Sequence, residues 1–375
     1  MALSFSIDKQ DLQGALNQLG RVTPTRSTLP VLSCVLMSAE GAELTFRASD
    51  LEITQVIRLP ASVSGEGGIA VPFRMFADIV GEMPEGEIKV DISGEGNINL
   101  VTEFGKYSIM GRSASEFPSL PNIDGNISYT LPASRLEAII DKTAFAVSKD
   151  ELKPSLQGVL FQFRESDFRA VSTDGHRLSR VIISETAEAM PQGEYIIPAK
   201  FLSVLSTYLE GDNEDITLEV GENHIMLHRK ETTLYSRLID ERYPDYESVF
   251  PTENNKRLVI GKDELLSAVK RVSILSNRST RQIALHLSAN DAIDITTEDV
   301  ETVTSARESV PAKFEGEALS IGYNSHYVRD VLSHVEGDQI LMEFNTSVSA
   351  AVISSVSATN AIEHTMLLMP IRLND

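Results

Sequence analysis

The chain has little of what secreted and membrane proteins rely on. It contains one cysteine, Cys34, no tryptophan and 6% aromatic residues. A single cysteine excludes an internal disulfide, and no segment reaches the roughly 18 consecutive apolar residues that a membrane span requires. The stretch from Met1 to Asp11 lacks a basic start followed by an apolar run, so it does not resemble a signal peptide. We therefore expect a cytoplasmic protein without membrane association.

Basic residues are also scarce. Lys and Arg number 33 against 54 Asp and Glu, which gives a formal charge of −21. Such a balance argues against a protein that coats nucleic acid by bulk attraction, although local contact with phosphates remains open. The six helical segments described below nevertheless sum to +2, so the acidic excess lies elsewhere. This uneven distribution of charge favours a helical surface that tolerates phosphates. The alternative is that acidic residues simply occupy the loops.

What the chain does contain is an internal repeat. Amphipathic segments with apolar residues at i, i+3, i+4 and i+7 recur roughly every 60 residues. They predict six helices, which start near Asp8, Phe73, Ser134, Ala199, Lys262 and Asn324. Between the helices, period-two alternation such as that in residues 224–229 and 292–296 predicts strands of half-covered sheets.

The repeat extends to single residues. Ser49-Asp50, Thr173-Asp174 and Thr297-Glu298 follow predicted strands at intervals of 124 residues, and Phe117-Pro118 matches Tyr243-Pro244. These features predict an α+β chain of three tandem domains, each with two helices and their sheets. Six similar halves in an arc can close by head-to-tail association. The predicted domains are residues 1–124, 125–254 and 255–375.

The sequence offers no complete catalytic or metal site. Seven histidines are present, but no Cys or acidic cluster completes a zinc set, and Walker, dinucleotide and G-x-S-x-G motifs are absent. We therefore expect no metal, no cofactor and no catalytic residue. One alternative is an enzyme in which Asp174 orients His176 as a general base. The repeat weakens this alternative, because Thr173-Asp174 has counterparts in both other domains. A secreted all-β adhesion array conflicts with the six helices.

Two segments break the repeat. Gly175-His176-Arg177-Leu178 occurs only in the middle domain, so a function that one domain alone performs is expected there. The C-terminal run Met366–Leu373 is apolar, whereas chain ends are usually polar and frayed. Met366–Leu368 fits a last strand. Met369–Ile371 fits the wall of an apolar groove, because methionine adapts to varied partners.

Together with Tyr243-Pro244-Asp245-Tyr246 and the ending Met369–Leu373, these segments resemble the bacterial DNA polymerase III beta subunits, the replicative sliding clamps. The resemblance runs from Met1 to Leu373. It implies a non-catalytic homodimer that closes head to tail into a ring, with helices lining the hole, sheets outside and duplex DNA passing through. Processivity would come from topological linkage. The implied partners are the catalytic subunit of DNA polymerase III, the clamp loader, other polymerases and repair proteins, all binding through short linear motifs.

The resemblance also implies positions for three kinds of site. The partner-peptide groove would use Leu156, Thr173, Gly175, His176, Arg177, Leu178, Pro244, Val249, Asn324, Tyr327, Leu368, Met369, Pro370, Ile371 and Arg372. The DNA-facing residues would be Arg26, Arg74, Lys149, Lys200, Lys270, Arg271 and Arg278. The dimer contact would set Tyr107 and Ile109 of one subunit against Ile274 and Leu275 of the other. The chain departs from many relatives in its Asn374-Asp375 extension and in Ser248, a groove position that is basic in some members.

Overall fold

Six α-helices form in the part of the chain that the computed structural model describes, each starting within one residue of its predicted start. They are α1 (Lys9–Leu19), α2 (Phe73–Glu82), α3 (Ala133–Thr143), α4 (Ala199–Leu209), α5 (Lys262–Val272) and α6 (Ser325–His334). Side-chain caps set two of these starts: Asp8 accepts from the amide of Gln10 at 2.8 Å, and Asn324 accepts from that of His326 at 2.9 Å. Single 3₁₀ turns follow α3 and α5, so these helices end earlier than their apolar periodicity predicts.

The structure describes residues 3–41, 43–93, 96–123, 127–184, 192–209, 211, 213–357 and 362–373. Asp124, which ends the first predicted domain, and the Asn374-Asp375 extension lie outside these ranges. Within them, no helix has the length and apolar character needed to cross a membrane.

The described residues form 26 strands, and all of their pairings are antiparallel. The strands are β1 (Leu3–Asp8), β2 (Cys34–Glu40), β3 (Glu43–Ser49), β4 (Ile53–Pro60), β5 (Ser62–Ser64), β6 (Gly67–Pro72), β7 (Glu87–Ile92), β8 (Asn97–Val101), β9 (Lys106–Met110), β10 (Arg112–Ser113), β11 (Ile127–Pro132), β12 (Gly158–Phe163), β13 (Asp167–Thr173), β14 (Arg177–Ser184), β15 (Gly193–Pro198), β16 (Asp215–Val220), β17 (His224–Arg229), β18 (Thr232–Arg237), β19 (Lys256–Gly261), β20 (Gln282–Leu287), β21 (Ala292–Asp299), β22 (Thr304–Glu315), β23 (Leu319–Asn324), β24 (Gln339–Phe344), β25 (Ala351–Ser355) and β26 (Ile362–Leu368).

These strands form two compact units. Met1–Ala133 with Thr207–Leu238 contains a five-stranded sheet, β5-β1-β7-β8-β9, and a nine-stranded sheet, β10-β6-β2-β3-β4-β18-β17-β16-β11. Ser134–Ser206 with Ile239–Asp375 contains a twelve-stranded sheet, β15-β12-β13-β14-β26-β25-β24-β19-β22-β21-β20-β23. In each unit, one pairing joins strands from neighbouring predicted domains: β4 with β18, and β14 with β26.

The helices bury the faces that their periodicity predicts. On α1 the side chains of Leu12, Leu16 and Leu19 are at most 2% exposed. Each fully buried side chain of this size stabilises the fold by about 1.5–3 kcal/mol. Alternate residues of β17 are also buried, as the period-two pattern predicts. On α6, Tyr327 is only partly buried, so this side chain stays available to the surface beside the helix.

Candidate functional site

A tight turn between β13 and β14 carries the segment that breaks the repeat. Asp174 Oδ1 accepts from the amides of His176 at 2.8 Å and Arg177 at 3.0 Å. Asp50 does the same with the amides of Glu52 and Ile53, 124 residues earlier. The repeated Ser/Thr-Asp pair therefore builds a turn stabilised by the carboxylate.

The next residue of this turn has a positive φ in both copies, +89° at Gly175 and +78° at Leu51. Glycine adopts this conformation without steric cost, whereas leucine is strained in it. The predicted third copy is wrong in register. There the carboxylate that accepts a backbone amide belongs to Asp299, which bonds Glu301 at 3.1 Å, and not to Glu298.

The structure contradicts the general-base alternative. Besides the two amides, Asp174 contacts Arg177 Nε through Oδ2 at 3.3 Å. The ring of His176 instead stacks on Tyr327, with centroids 5.4 Å apart and planes at 16°. The carboxylate is thus used by the turn and does not orient the imidazole.

Arg177 is a buried connector. It is 9% exposed, pairs with Asp174 and Asp330, and donates from Nη2 to the carbonyl oxygen of Phe145 at 2.8 Å. Its guanidinium also lies over the rings of Phe145 and Tyr327, 5.3 and 5.0 Å from their centroids. Arg177 therefore ties the turn to α6 and to the 3₁₀ turn after α3, and it offers little surface to a ligand.

An apolar cluster lies beneath this turn. It combines buried side chains from β12, β13, β14, β15 and β26 with Leu156 of the 3₁₀ turn before β12 and two tyrosines of the segment after β18. Its members are Leu156, Leu160, Val171, Leu178, Ile196, Tyr243, Tyr246 and Leu367. Two residues beside this cluster in the sequence are exposed. Pro244 follows its member Tyr243, and Val249, which is 50% exposed, precedes Phe250, a residue packed against the cluster. The cluster thus has an apolar rim open to solvent.

The C-terminal segment forms a second wall. After β26, the amide of Met369 donates to the carbonyl of His176 at 2.8 Å, and that of Ile371 donates to Gly322 at 2.9 Å. These bonds hold Met369 at 41% exposure, with Pro370 and Ile371 partly exposed. Main-chain contacts therefore fix an apolar, half-exposed segment next to the turn.

Hydroxyl groups that the sequence did not single out fasten α3 to the same sheet. Ser172 Oγ donates to the carbonyl of Thr143 at 2.6 Å, which satisfies a free carbonyl at the helix end. Ser179 Oγ bonds the carbonyl of Lys142 and, at 2.9 Å, Nε2 of His364. Burial, followed by the nearby Lys142, lowers the pKa of His364 to about 3, so its imidazole is neutral at pH 7.

The structure sorts the fifteen expected groove residues by exposure. All lie in the unit formed by Ser134–Ser206 and Ile239–Asp375. Exposed are Gly175, His176, Pro244, Val249, Met369 and Arg372, and partly exposed are Thr173, Asn324, Tyr327, Pro370 and Ile371. Buried are Leu156, Arg177, Leu178 and Leu368. Leu368 packs in the core with β19 and β24 residues and contributes no surface.

The expected DNA-facing residues are all exposed: Arg26, Arg74, Lys149, Lys200, Lys270, Arg271 and Arg278. Arg271 differs from the expectation in its charge environment, since its Nε lies 3.1 Å from Glu308 Oε2. This pairing raises the pKa of Arg271 and lowers that of Glu308. The local charge of Arg271 is therefore largely compensated.

Three of the four expected dimer residues have exposed side chains: Ile274 (77%), Tyr107 (40%) and Leu275 (38%). Ile109 is 3% exposed, because it points into the core of its own unit from β9. Its neighbour Met110 is 65% exposed. Any apolar contact that β9 makes with a second chain thus involves Tyr107 and Met110 rather than the Ile109 side chain.

Three family models match the chain in succession. They describe the N-terminal, central and C-terminal domains of the DNA polymerase III beta subunit and match residues 3–121, 130–245 and 247–372. The beta sliding clamp of Proteus mirabilis is 31% identical over 376 residues, which covers 99% of this chain and 100% of that protein.

Solved structures agree over the full length. A DnaN sliding clamp from Pseudomonas aeruginosa bound to griselimycin is 29% identical, with a TM-score of 0.92 and coverage of 100% of both chains. The DNA polymerase sliding clamp from Bacillus subtilis is 25% identical, with a TM-score of 0.94 and the same coverage.

Proposed function

Because the chain belongs to the DNA polymerase III beta subunit family, the bacterial sliding clamps, we propose that its surfaces divide three tasks: ring closure, passage of DNA and capture of partners. The protein is a processivity factor without catalytic activity, and it has the three-domain sliding-clamp fold. Two copies encircle duplex DNA, and the polymerase stays on the DNA because the ring encloses it rather than because the clamp binds DNA tightly. As a clamp on chromosomal DNA, the protein acts in the cytoplasm.

Capture of partners is assigned to a groove beside the β13–β14 turn. The observation that carries this assignment is the exposed segment Met369–Ile371, held by main-chain bonds to His176 and Gly322 above an apolar cluster. Such a surface suits an extended peptide with apolar anchors, since pockets for side chains give specificity while the wall stays rigid. The catalytic subunit of DNA polymerase III, the clamp loader and repair proteins would bind here through short linear motifs.

Ring closure is supported by two open strand edges. The repeat places β4, β14 and β22 in equivalent positions, and the first two pair with β18 and β26. Residues 304–310 of β22 pair with β21 alone among the described strands, and β9, the counterpart of β18 and β26, is an edge strand. We propose that β9 of one copy pairs with β22 of another, with Ile274, Leu275 and Tyr107 beside this interface.

Passage of DNA is assigned to the exposed cations of the helices and their exits. Few basic residues in a chain of charge −21 make only weak, mobile phosphate contacts. A strongly basic lining would oppose sliding, and topology already prevents escape. The three domains are proposed to span residues 1–124, 125–254 and 255–375.

The groove assignment is tested by replacing its exposed wall. Met369→Ala with Pro370→Ala is expected to weaken binding of a fluorescein-labelled polymerase clamp-binding peptide about thirtyfold, since each truncated side chain removes about 1 kcal/mol of binding free energy. Fluorescence polarisation measures this affinity. Val348→Ala, which truncates a 60% exposed residue of the same unit, serves as the control. Unchanged peptide affinity in a folded double variant would reject the groove.

A further inference from the structure

A second polar surface lies at the N-terminus of α6. An open cleft of about 380 Å³ there is lined by Lys270, Arg278, Arg281, Ser325, His326 and Arg329, among others. No carboxylate lines this cleft, and within the described ranges no ion pair engages Lys270, Arg278 or Arg329. Four cations thus gather at one place in a chain whose formal charge is −21.

A buried hydroxyl group points to a ligand at this cleft. Ser325, the first residue of α6, is 1% exposed, yet its Oγ has no hydrogen-bond partner among the described residues. A buried polar atom without a partner costs free energy that a bound ligand would recover. The amide end of a ten-residue helix adds positive potential at the same point.

The backbone holds Arg281 in a strained conformation beside this hydroxyl. Arg281 has φ +51°, its amide donates to Asn277 at 2.8 Å, and its carbonyl accepts from the amide of Ser325 at 2.8 Å. Its guanidinium lies against the ring of His326, 2.7 Å from Nδ1. Backbone strain of this kind persists where the surrounding structure enforces it, and it is concentrated at functional sites.

Nearby charges leave the cleft positive. Burial, then Arg281 and Arg329, lower the pKa of His326, and the effect of the two arginines reflects the positive potential that they create at the ring. The neighbouring carboxylate, Asp330, is paired with Arg177. The cleft therefore attracts an anion.

We propose that this α6 anion site, formed by Lys270, Arg278, Arg281, Ser325 and Arg329, binds a backbone phosphate of the DNA. The proposal rests on the proposed function and names its phosphate contact. The donors of this site diverge in direction and comprise a helix end, a hydroxyl group and guanidinium groups. The oxygens of a phosphate match such divergent donors better than those of a planar carboxylate do. Arg281, Ser325 and Arg329 extend the set that the family resemblance implies.

The site adjoins the partner groove. Arg278, Arg281 and His326 also line a neighbouring cleft with Lys149, Asn324 and Tyr327. A phosphate bound at α6 therefore lies within the same surface as the groove edge. DNA would be drawn toward the side of the clamp on which the polymerase peptide docks.

The test compares Arg281→Gln with Arg329→Gln against Lys313→Gln, an exposed lysine on β22 of the same unit. Anisotropy of a fluorescent 30-base-pair linear duplex is measured with each full-length protein from 50 to 200 mM NaCl. We expect the double variant to bind about fivefold more weakly at 50 mM, with the slope of log K against log salt reduced by about one for each phosphate that is no longer neutralised. Ser325→Ala should weaken binding while leaving that slope unchanged.

Peptide polarisation and retention of the clamp on circular DNA separate the failure of this site from that of the proposed function. Wild-type affinity and salt slope in the double variant would overturn the α6 site, even where the wild type is retained on circles. Loss of affinity for a peptide with acidic flanks, with duplex binding intact, would assign the site to peptide carboxylates and also overturn it. If micromolar inorganic phosphate, added at constant ionic strength, bound the site as tightly as the duplex does, the site would be one for free anions instead.

Discussion

Replacing Ile274 and Leu275 together by alanine is expected to convert the dimer into monomers of 41.2 kDa. These side chains are 77% and 38% exposed in the single chain, on the 3₁₀ turn that ends α5. Full burial of such a side chain contributes about 1.5–3 kcal/mol, and Leu275 is already partly covered. The pair therefore contributes about 2–3 kcal/mol and changes the dimer dissociation constant by a factor of about 30 to 150. Sedimentation velocity across 0.1–10 μM protein measures the change.

A control double variant and a check of folding accompany the sedimentation measurement. Val348→Ala with Val356→Ala removes similar apolar area from two other exposed positions, 60% and 47%, and should leave the dimer intact. Circular dichroism should show unchanged secondary structure for both double variants, because exposed side chains add little to the core. Dimers of the Ile274/Leu275 variant at micromolar concentration would place the interface elsewhere.

Arg177→Ala is expected to destabilise its unit by about 3 kcal/mol. The substitution leaves Asp174, 13% exposed in its side chain, and Phe145 O without their shared partner, and uncompensated buried charge is costly. Asp330 is half-exposed, so water compensates it in part for the missing guanidinium. Calorimetry should show the affected transition about 6–12 °C lower.

A surface arginine provides the comparison. Arg257→Ala breaks an ion pair with Glu343 at 3.2 Å, in which the arginine side chain is 57% exposed. Exposed pairs of this kind contribute about 0–1 kcal/mol, so its transition should move by no more than about 4 °C. Equal shifts in both variants would show that Arg177 is not the connector that its contacts indicate.

Local periodicity was sufficient to predict where helices start but not where they end. Starts coincide with caps such as Asp8 and Asn324, whose chemistry is visible in the sequence. The ends of α3 and α5 depend on 3₁₀ turns that continue the same apolar pattern. Tertiary packing decides between the two kinds of turn.

The segments that break the repeat predict the partner groove, but their sequence does not separate surface residues from core residues. Exposed His176 and Met369 lie just outside β14 and β26, whereas their neighbours Arg177 and Leu368 form the paired ends of those strands and are buried. Ile109 shows the same limit on β9. Burial in such strands depends on pairing partners that lie far away in the chain.

The α6 anion site was visible only as an excess of charge. The segment from Lys262 to Arg281 carries the most positive sum of the six helical segments. Nothing local indicates that Arg329 and Ser325, from the next helix, share a cleft with Arg278 and Arg281. Pairing of β20 with β23 brings these segments together across more than 40 residues of sequence.

Retention on DNA of defined topology tests the central claim most directly. Labelled clamp is loaded on nicked circular plasmid by a clamp loader and ATP, freed of unbound protein by gel filtration, and then divided between a restriction digest and a mock digest. Topological linkage predicts that the clamp stays with the circles and is released when the plasmid becomes linear. Rapid loss from intact circles, or equal retention on circular and linear plasmid, would contradict it.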